Sequence, residues 1–266
     1  MRLASQCLSG LAPYFMAVWL GTGCLDWDSL RGGVDAQSPD AAPDMAIAQT
    51  ETPAVEWFFA EIAAHLIADS AKAEPDVALM LKPPMTSTAG LVQEKALWMR
   101  DLVGESTAAA SRLMGEAITK AGGGFSFELW MKLPPGSQPG QLLLTPAINV
   151  NVSGTSLTVF ANTSSGEIDL TYPWTTDGGW HHFGITFHPG LTALLTLYLD
   201  GKPVLAWAND KPTVSSTLQW SMEDVNAVIR LGSEDLDQLR LSRGALFTFA
   251  LSETQMQKRF ALGRNR

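Results

Sequence analysis

The stretch Gly178–Val204, GGWHHFGITFHPGLTALLTLYLDGKPV, decides how this 266-residue chain is read. Two runs within it alternate with period two. In the first, Phe183, Ile185 and Phe187 share one side, opposite Trp180, His182 and Thr186. In the second, Leu195, Leu197 and Leu199 line one side, opposite Thr196, Tyr198 and Asp200. Such alternation puts one face of a strand in the core and leaves the other for a different job. His188-Pro189-Gly190 breaks the first run, and Asp200-Gly201 supplies a tight turn because both residues tolerate positive φ. The segment predicts three short antiparallel strands in succession.

These residues resemble the central hairpin of laminin G-like, concanavalin A-like jelly rolls, where a Trp-His pair opens one strand and a YLDG-type turn closes the next. Working outward, FSFELWMKL at Phe125–Leu133 resembles another strand of that family. It places Phe125, Phe127, Leu129, Met131 and Leu133 on one face and stops at Pro134-Pro135-Gly136. DQLRLSRGALFTFALSETQMQKRF, residues 237–260, resembles the family's closing element. There Ser252 and Gln255 form a capping box, and Leu251 can staple against Met256. Asp69-Ser70 resembles the loop that follows the family's first strand.

Shorter alternating pieces recur between turn signals: AVEWFFAE from Ala54, KALWMRD from Lys95, QLLLT from Gln141, SLTVFAN from Ser156, EIDLTY from Glu167 and AVIRLGS from Ala227. Regular short strands of this kind argue for an antiparallel sandwich. One segment breaks the pattern: Ala110, Leu113, Met114, Ala117, Ile118 and Ala121 fall on one helical face, Arg112 and Glu116 can pair four apart, and Gly122-Gly123-Gly124 ends it. The expected fold is an all-β antiparallel jelly-roll sandwich, concanavalin A-like, over residues 54–262 with one or two short helices, then a tail at 263–266.

The formal charge is −9, which argues against nucleic acid as a partner because phosphate neutralisation needs a basic surface. Charged residues make up only 17%, beside 23 glycines and 15 prolines, a balance that suits a turn-rich β domain. Both cysteines, Cys7 and Cys24, lie near the start, so the folded region contains neither a disulfide nor a cysteine zinc site. Residues 1–23 read as a signal peptide: Arg2, an apolar run over Leu8–Leu20 too short for the roughly 20 residues of a membrane span, then small residues before Cys24. Ending on cysteine, the segment resembles a bacterial lipoprotein signal, and Cys24 is the expected acylation site; cleavage without acylation, giving a secreted protein, and an uncleaved anchor are the alternatives. Leu25 directly after it resembles a signal for export to the outer membrane. Residues 24–53, rich in Asp, Ala and Pro, read as a disordered acidic tether.

Jelly rolls of this class include sugar-cleaving enzymes, whose signature is a Glu-x-Asp-x-x-Glu strand. Glu167-Ile168-Asp169-Leu170-Thr171-Tyr172 comes near it but has Tyr172 where the third carboxylate should stand. Retaining hydrolysis needs two carboxyl groups about 5 Å apart, one of them an acid for the leaving oxygen. No catalysis is expected. Adjacent His181 and His182 point to opposite faces of a strand and cannot share an ion; His181 is expected to be a packed core residue with a backbone partner. No metal is expected; the resemblance leaves a calcium ion at the sandwich rim as an option, for which Asp177, Asp224, Asp235 and Asp237 are candidate oxygens, but no compact loop gathers them. No other cofactor is implied. Among the aromatics, Trp130 and Trp180 are expected in the core, and Trp98 on the parity opposite an apolar stripe. Trp207 and Trp220 are placed in turns or at strand ends. Trp174, beside the TTDGG loop with Asp177, is the expected exposed binding aromatic. The function expected is a non-catalytic, lectin-like module on a lipid-anchored envelope protein, binding a glycan, matrix polymer or envelope protein. A structural interaction subunit and a degenerate glycoside hydrolase are the alternatives.

Overall fold

The structure, a computed structural model, describes residues 52–63, 65–71, 75–82, 92–210, 213–220, 227–236 and 238–264. The expected signal segment, Cys24, nearly all of the tether, and Asp224 and Asp237 lie outside these residues. Strands β1 (Val55–Ala63), β2 (Leu66–Asp69), β3 (Leu79–Lys82), β4 (Val92–Gln93), β5 (Ala96–Trp98) and β6 (Val103–Glu105) precede helix α1 (Ala108–Lys120). Then come β7 (Phe125–Lys132), β8 (Gly140–Leu144), β9 (Ile148–Val152), β10 (Ser156–Thr163), β11 (Gly166–Pro173) and β12 (Trp180–His188). Strands β13 (Leu194–Leu199), β14 (Lys202–Ala208), β15 (Arg230–Leu231) and β16 (Arg240–Phe247) are followed by helix α2 (Glu253–Leu262).

The strands pair antiparallel along one path, β11-β10-β9-β8-β15-β6-β3-β2-β1-β16-β7-β12-β13-β14, with β5 joining β16 and β4 joining β5. Its two ends, β11 and β14, touch, so the sheet nearly closes on itself and leaves little free edge. The path folds into a back layer (β3, β6, β15, β8, β9, β10, β11) and a front layer (β1, β16, β7, β12, β13, β14) that share one core. Val150, Val159 and Ile168 from the back join Phe127, Ile185 and Leu197 from the front in a single buried cluster. This is the jelly-roll-like sandwich that the sequence predicts. Strand β9 has no counterpart among the expected pieces. Its INVNV sequence carries two asparagines, which strands disfavour, and pairing on both sides, with β8 and β10, holds it extended.

The hairpin forms as expected, β12 pairing with β13 and β13 with β14. Asp200 and Gly201 have φ of 51° and 74°, as a two-residue primed turn requires. Helix α1 is capped by Thr107, whose hydroxyl accepts from the Ala110 N–H at 3.1 Å, and Arg112 Nε lies 3.9 Å from Glu116.

The front layer differs from a half-solvated sheet. In β7 every residue but Lys132 is buried, and so is the middle of β12, residues 182–187, on both faces. The second face lies under α2, whose capping box at Ser252 and Gln255 is present and whose Met256 is buried with Leu251, Tyr198, Ala245 and Phe247. Beneath the helix is a buried ionic network. Arg259 donates to Glu128 at 2.5 to 3.0 Å and reaches within 3.6 Å of Glu56, which also receives Arg243 at 2.5 and 2.8 Å. His182, fully buried, has Nε2 3.5 Å from Glu128. Burial opposes ionisation of Glu128, but its contacts with His182 and Arg259 outweigh that and hold the carboxyl down at about 2.

Candidate functional site

On the back layer, strand register lines up one residue per strand on each face. The inward row is Leu81, Gly104, Leu231, Leu143, Val150, Val159 and Leu170. All but Leu170 are buried. One residue along each strand, the outward row runs Met80, Glu105, Arg230, Leu144, Asn149, Phe160 and Asp169, with Leu66 beyond Met80 on β2. None of these is buried. Alternation builds most of the outward face, a core residue on each strand putting its neighbour outside; β8 departs from it, where Leu142 and Leu143 are both buried beside a register shift between Gln141 and Leu143. Three large apolar side chains stand in this row, Leu66, Met80 and Phe160, exposed by 38%, 37% and 39%.

Polar groups surround them. Asn149 and Asp169 flank Phe160 directly across its two neighbouring strands. Gln141 Nε2 donates to Asn149 Oδ1 at 3.1 Å, which leaves the Gln141 carbonyl and the Asn149 amide hydrogens for a ligand. The Thr158 and Thr171 hydroxyls bond each other at 3.2 Å on the same face. Toward β3 the face deepens into a groove of about 580 Å³ lined by Lys82, Glu105, Gln141, Arg230, Ser233 and Asp235. Glu105 accepts from Lys82 and, at 2.7 Å, from Arg230. Burial acts to raise its pKa, but these two cations prevail and lower it. The far wall is pinned by Gln141 N–H donating to Ser233 Oγ at 3.1 Å and by Gly232 N–H donating to the Leu142 carbonyl at 3.0 Å. An aromatic ring amid amides and hydroxyls, beside a rigid polar groove, is suited to an elongated ligand with hydroxyl groups and weakly apolar faces.

The residues that the sequence singled out are distributed differently. Trp174 is 8% exposed and belongs to the core, its ring edge-on to His181 at 5.2 Å, so the exposed aromatic expected there is not found. The loop after it turns inward: Thr176 is buried and its hydroxyl donates to the Leu133 carbonyl, which draws Trp174 into the sandwich. Asp177 is exposed and holds Nε2 of His181 at 3.0 Å while accepting from the Gly179 N–H at 2.6 Å. His181 is half-buried, and its partners are carboxylates, Asp177 and Asp200 at 3.0 Å each, rather than the backbone expected. The fully buried histidine is His182, because α2 covers its face. Trp130 is buried and stacks on Phe260 at 5.7 Å, whereas Trp180 is half-buried. Trp220 is buried against α1, and Trp207 lies within β14.

Glu167 and Asp169 are both exposed on β11, while Tyr172, on the opposite parity, packs against the core. Asp177 and Asp235 are not brought together, and the described residues contain no group of three side chains able to hold a metal ion. Sequence reasoning missed Phe160 and its neighbours. The available signal was Phe160 itself, a large aromatic sitting between Thr158 and Asn162 on the polar parity of β10.

No family model and no curated protein sequence matches the chain. Solved structures are similar to it in fold. They include the receptor binding domain of botulinum neurotoxin C/D mosaic serotype, with TM-score 0.57 at 11% identity, covering 80% of this chain and 52% of that one. The binding domain of botulinum neurotoxin DC in complex with rat synaptotagmin II gives 0.53 at 9%, covering 80% and 52%. The same binding domain in complex with SialylT gives 0.52 at 9%, covering 80% and 51%. The chain spans about half the length of these structures, and at such identity the likeness is one of fold: a β-rich antiparallel sandwich that occurs in binding domains.

Proposed function

We propose that this protein is a non-catalytic binding module whose ligand is a glycan chain laid across the outward face of the back layer. The observation that carries this is the row through Asn149, Phe160 and Asp169, where an exposed ring is bracketed by polar side chains and leads into the Arg230 groove. A sugar ring would stack on Phe160 while Asn149, Gln141 and Thr158 exchange hydrogen bonds with its hydroxyls. The similar solved structures support a binding role, one of them in complex with rat synaptotagmin II and one with SialylT. Hydrolysis is disfavoured because Tyr172 removes the third carboxylate from the Glu167 and Asp169 strand. Laminin G-like membership and lipid anchoring at Cys24 belong to the same reading, which puts the module on a bacterial envelope.

A glycan array with the full chain tests the ligand. Phe160→Ala should weaken binding at least tenfold, about 1.4 kcal/mol, without lowering the melting temperature, since the ring is exposed. Undiminished binding by that variant would refute the site. Cleavage of a bound polysaccharide that disappears in Glu167→Gln would instead make the protein a hydrolase. A protein partner is the second reading, favoured by exposed Leu66 and Met80 on the same face; Met80→Glu would then abolish binding and Phe160→Ala would not. For the anchor, Cys24→Ser should release the protein from the membrane fraction, and unchanged retention would exclude acylation there.

A further inference from the structure

A second surface lies on the outer side of the front layer, past the end of α2. Here register aligns Trp98 with Arg240, Arg240 with Lys132, and Lys132 with Trp180, on strands β5, β16, β7 and β12. All four are half-buried. Two more cations extend the row at its ends. The Arg100 and Arg240 guanidinium carbons lie 5.9 and 5.6 Å from the Trp98 ring, and that of Arg264 lies 4.3 Å from the Trp180 ring. Arg264 is fixed by donating to the Glu94 carbonyl at 3.2 Å, while its own carbonyl accepts from Ser242 Oγ at 3.4 Å. Among the described residues, the one carboxylate within ion-pair distance of these four cations is Asp101, 3.9 Å from Arg100 in an exposed pair.

Arg240 and Lys132 are therefore directly opposed like charges on neighbouring strands, with no carboxylate between them. Such a pair destabilises a sheet, and on a chain of formal charge −9 the concentration of positive charge runs against the overall balance. A bound anion would remove that repulsion. We infer that the Trp98–Arg240–Lys132–Trp180 row is a binding site for an anionic polysaccharide carrying carboxylate or sulfate groups. Guanidinium and ammonium groups take the anions, Arg in bidentate geometry, and the indoles supply apolar faces for the intervening sugar rings. Nucleic acid fits less well. Four cations are fewer than the six to ten phosphate contacts of a typical duplex binder, and the acidic remainder of the surface repels a long, dense polyanion. A membrane surface fits less well too, because the indoles are half-buried and the row offers no aliphatic side chain to insert. This site is on the layer opposite Phe160 and does not depend on the glycan reading above.

The test is titration of the full chain with heparin and with polygalacturonate, using dextran as the uncharged control, at two salt concentrations. At least one anionic polymer should bind, more weakly at high salt, and dextran should not compete. Lys132→Gln combined with Arg240→Gln should weaken binding tenfold or more while Phe160→Ala leaves it unchanged. Lys132→Gln alone should raise the melting temperature, which separates loss of binding from loss of folding. The inference is overturned if neither polymer binds, if the double variant binds normally, or if Lys132→Gln lowers the melting temperature. Equal or tighter binding to vesicles of anionic phospholipid, or to a DNA duplex, would also overturn it.

Discussion

Glu128 shows how much one residue's role depends on what covers it. On β7 it sits among hydrophobic residues, and an unpaired carboxylate there would be untenable. Arg259 from α2 and His182 from β12 make it an anion. Its pKa falls from 4.5 to about 2, so it contributes stability above pH 4.5 that is lost as the pH drops toward 2. Glu128→Gln should cost about 3 kcal/mol, because buried Arg259 then keeps only its longer ionic contact with Glu56, at 3.6 Å. It should also flatten the acid limb of a melting-temperature profile below pH 4.5. An unchanged acid limb would show that the carboxyl titrates elsewhere. His181 works in the opposite direction. Burial favours its neutral form, but hydrogen bonds to Asp200 and Asp177 prevail and raise its pKa above 6.5. Its contribution is complete below pH 6.5 and disappears as the pH rises through the folded-state value. His188, lowered by burial, acts below 6.5 instead. His181→Gln should therefore lose the decline in melting temperature above pH 6.5 and keep any slope below it.

At the scale of elements, both helices are tied to the sandwich by close contacts rather than by propensity. Trp220 lies so near α1 that a β-carbon on Gly115 would stand 2.2 Å from its ring. Alanine is the better helix former by about 1 kcal/mol, yet the indole is buried and cannot move aside freely. Gly115→Ala should consequently destabilise by about 1–3 kcal/mol, read as a shift in denaturant midpoint; a stabilised variant would mean the indole repacks at no cost. Helix α2 was legible as a helix from Ser252 and Gln255, but its seat was not. Nothing in the local pattern says that it covers Gly184, Trp130 and His182, because that placement depends on a pairing between β16 and β7 more than a hundred residues apart. The misreading of the two histidines follows from this. Parity correctly put them on opposite faces, but which face was covered lay outside the hairpin.

For the whole molecule, the near-closed sheet separates two outward surfaces. One is the Phe160 face of the back layer, and the other is the Trp98–Trp180 row of the front layer. One packed core lies between them, and sites on opposite sides of it that share no residue should act independently. Combining Phe160→Ala with Lys132→Gln and Arg240→Gln should reduce neutral-glycan and anionic-polymer binding by the same factors as the separate variants. Mutual dependence, measured by titrating one ligand in the presence of the other, would point to a single extended site.

Sequence by itself determined the strands of the hairpin, its Asp200-Gly201 turn, the helix at α1, the capping box of α2 and the sandwich class. These follow from periodicity and turn chemistry within a dozen residues. Only the tertiary structure decided which faces stay open. Strand β9 exists because its neighbours pair with it, and Trp174 is buried because Thr176 draws its loop inward. The middle of β12, residues 182–187, is buried on both faces because α2 returns to cover it. The outward rows through Phe160 and through Arg240 are assembled from strands far apart in the chain. No local pattern carries them, since cross-strand register is fixed only when the whole sheet has closed.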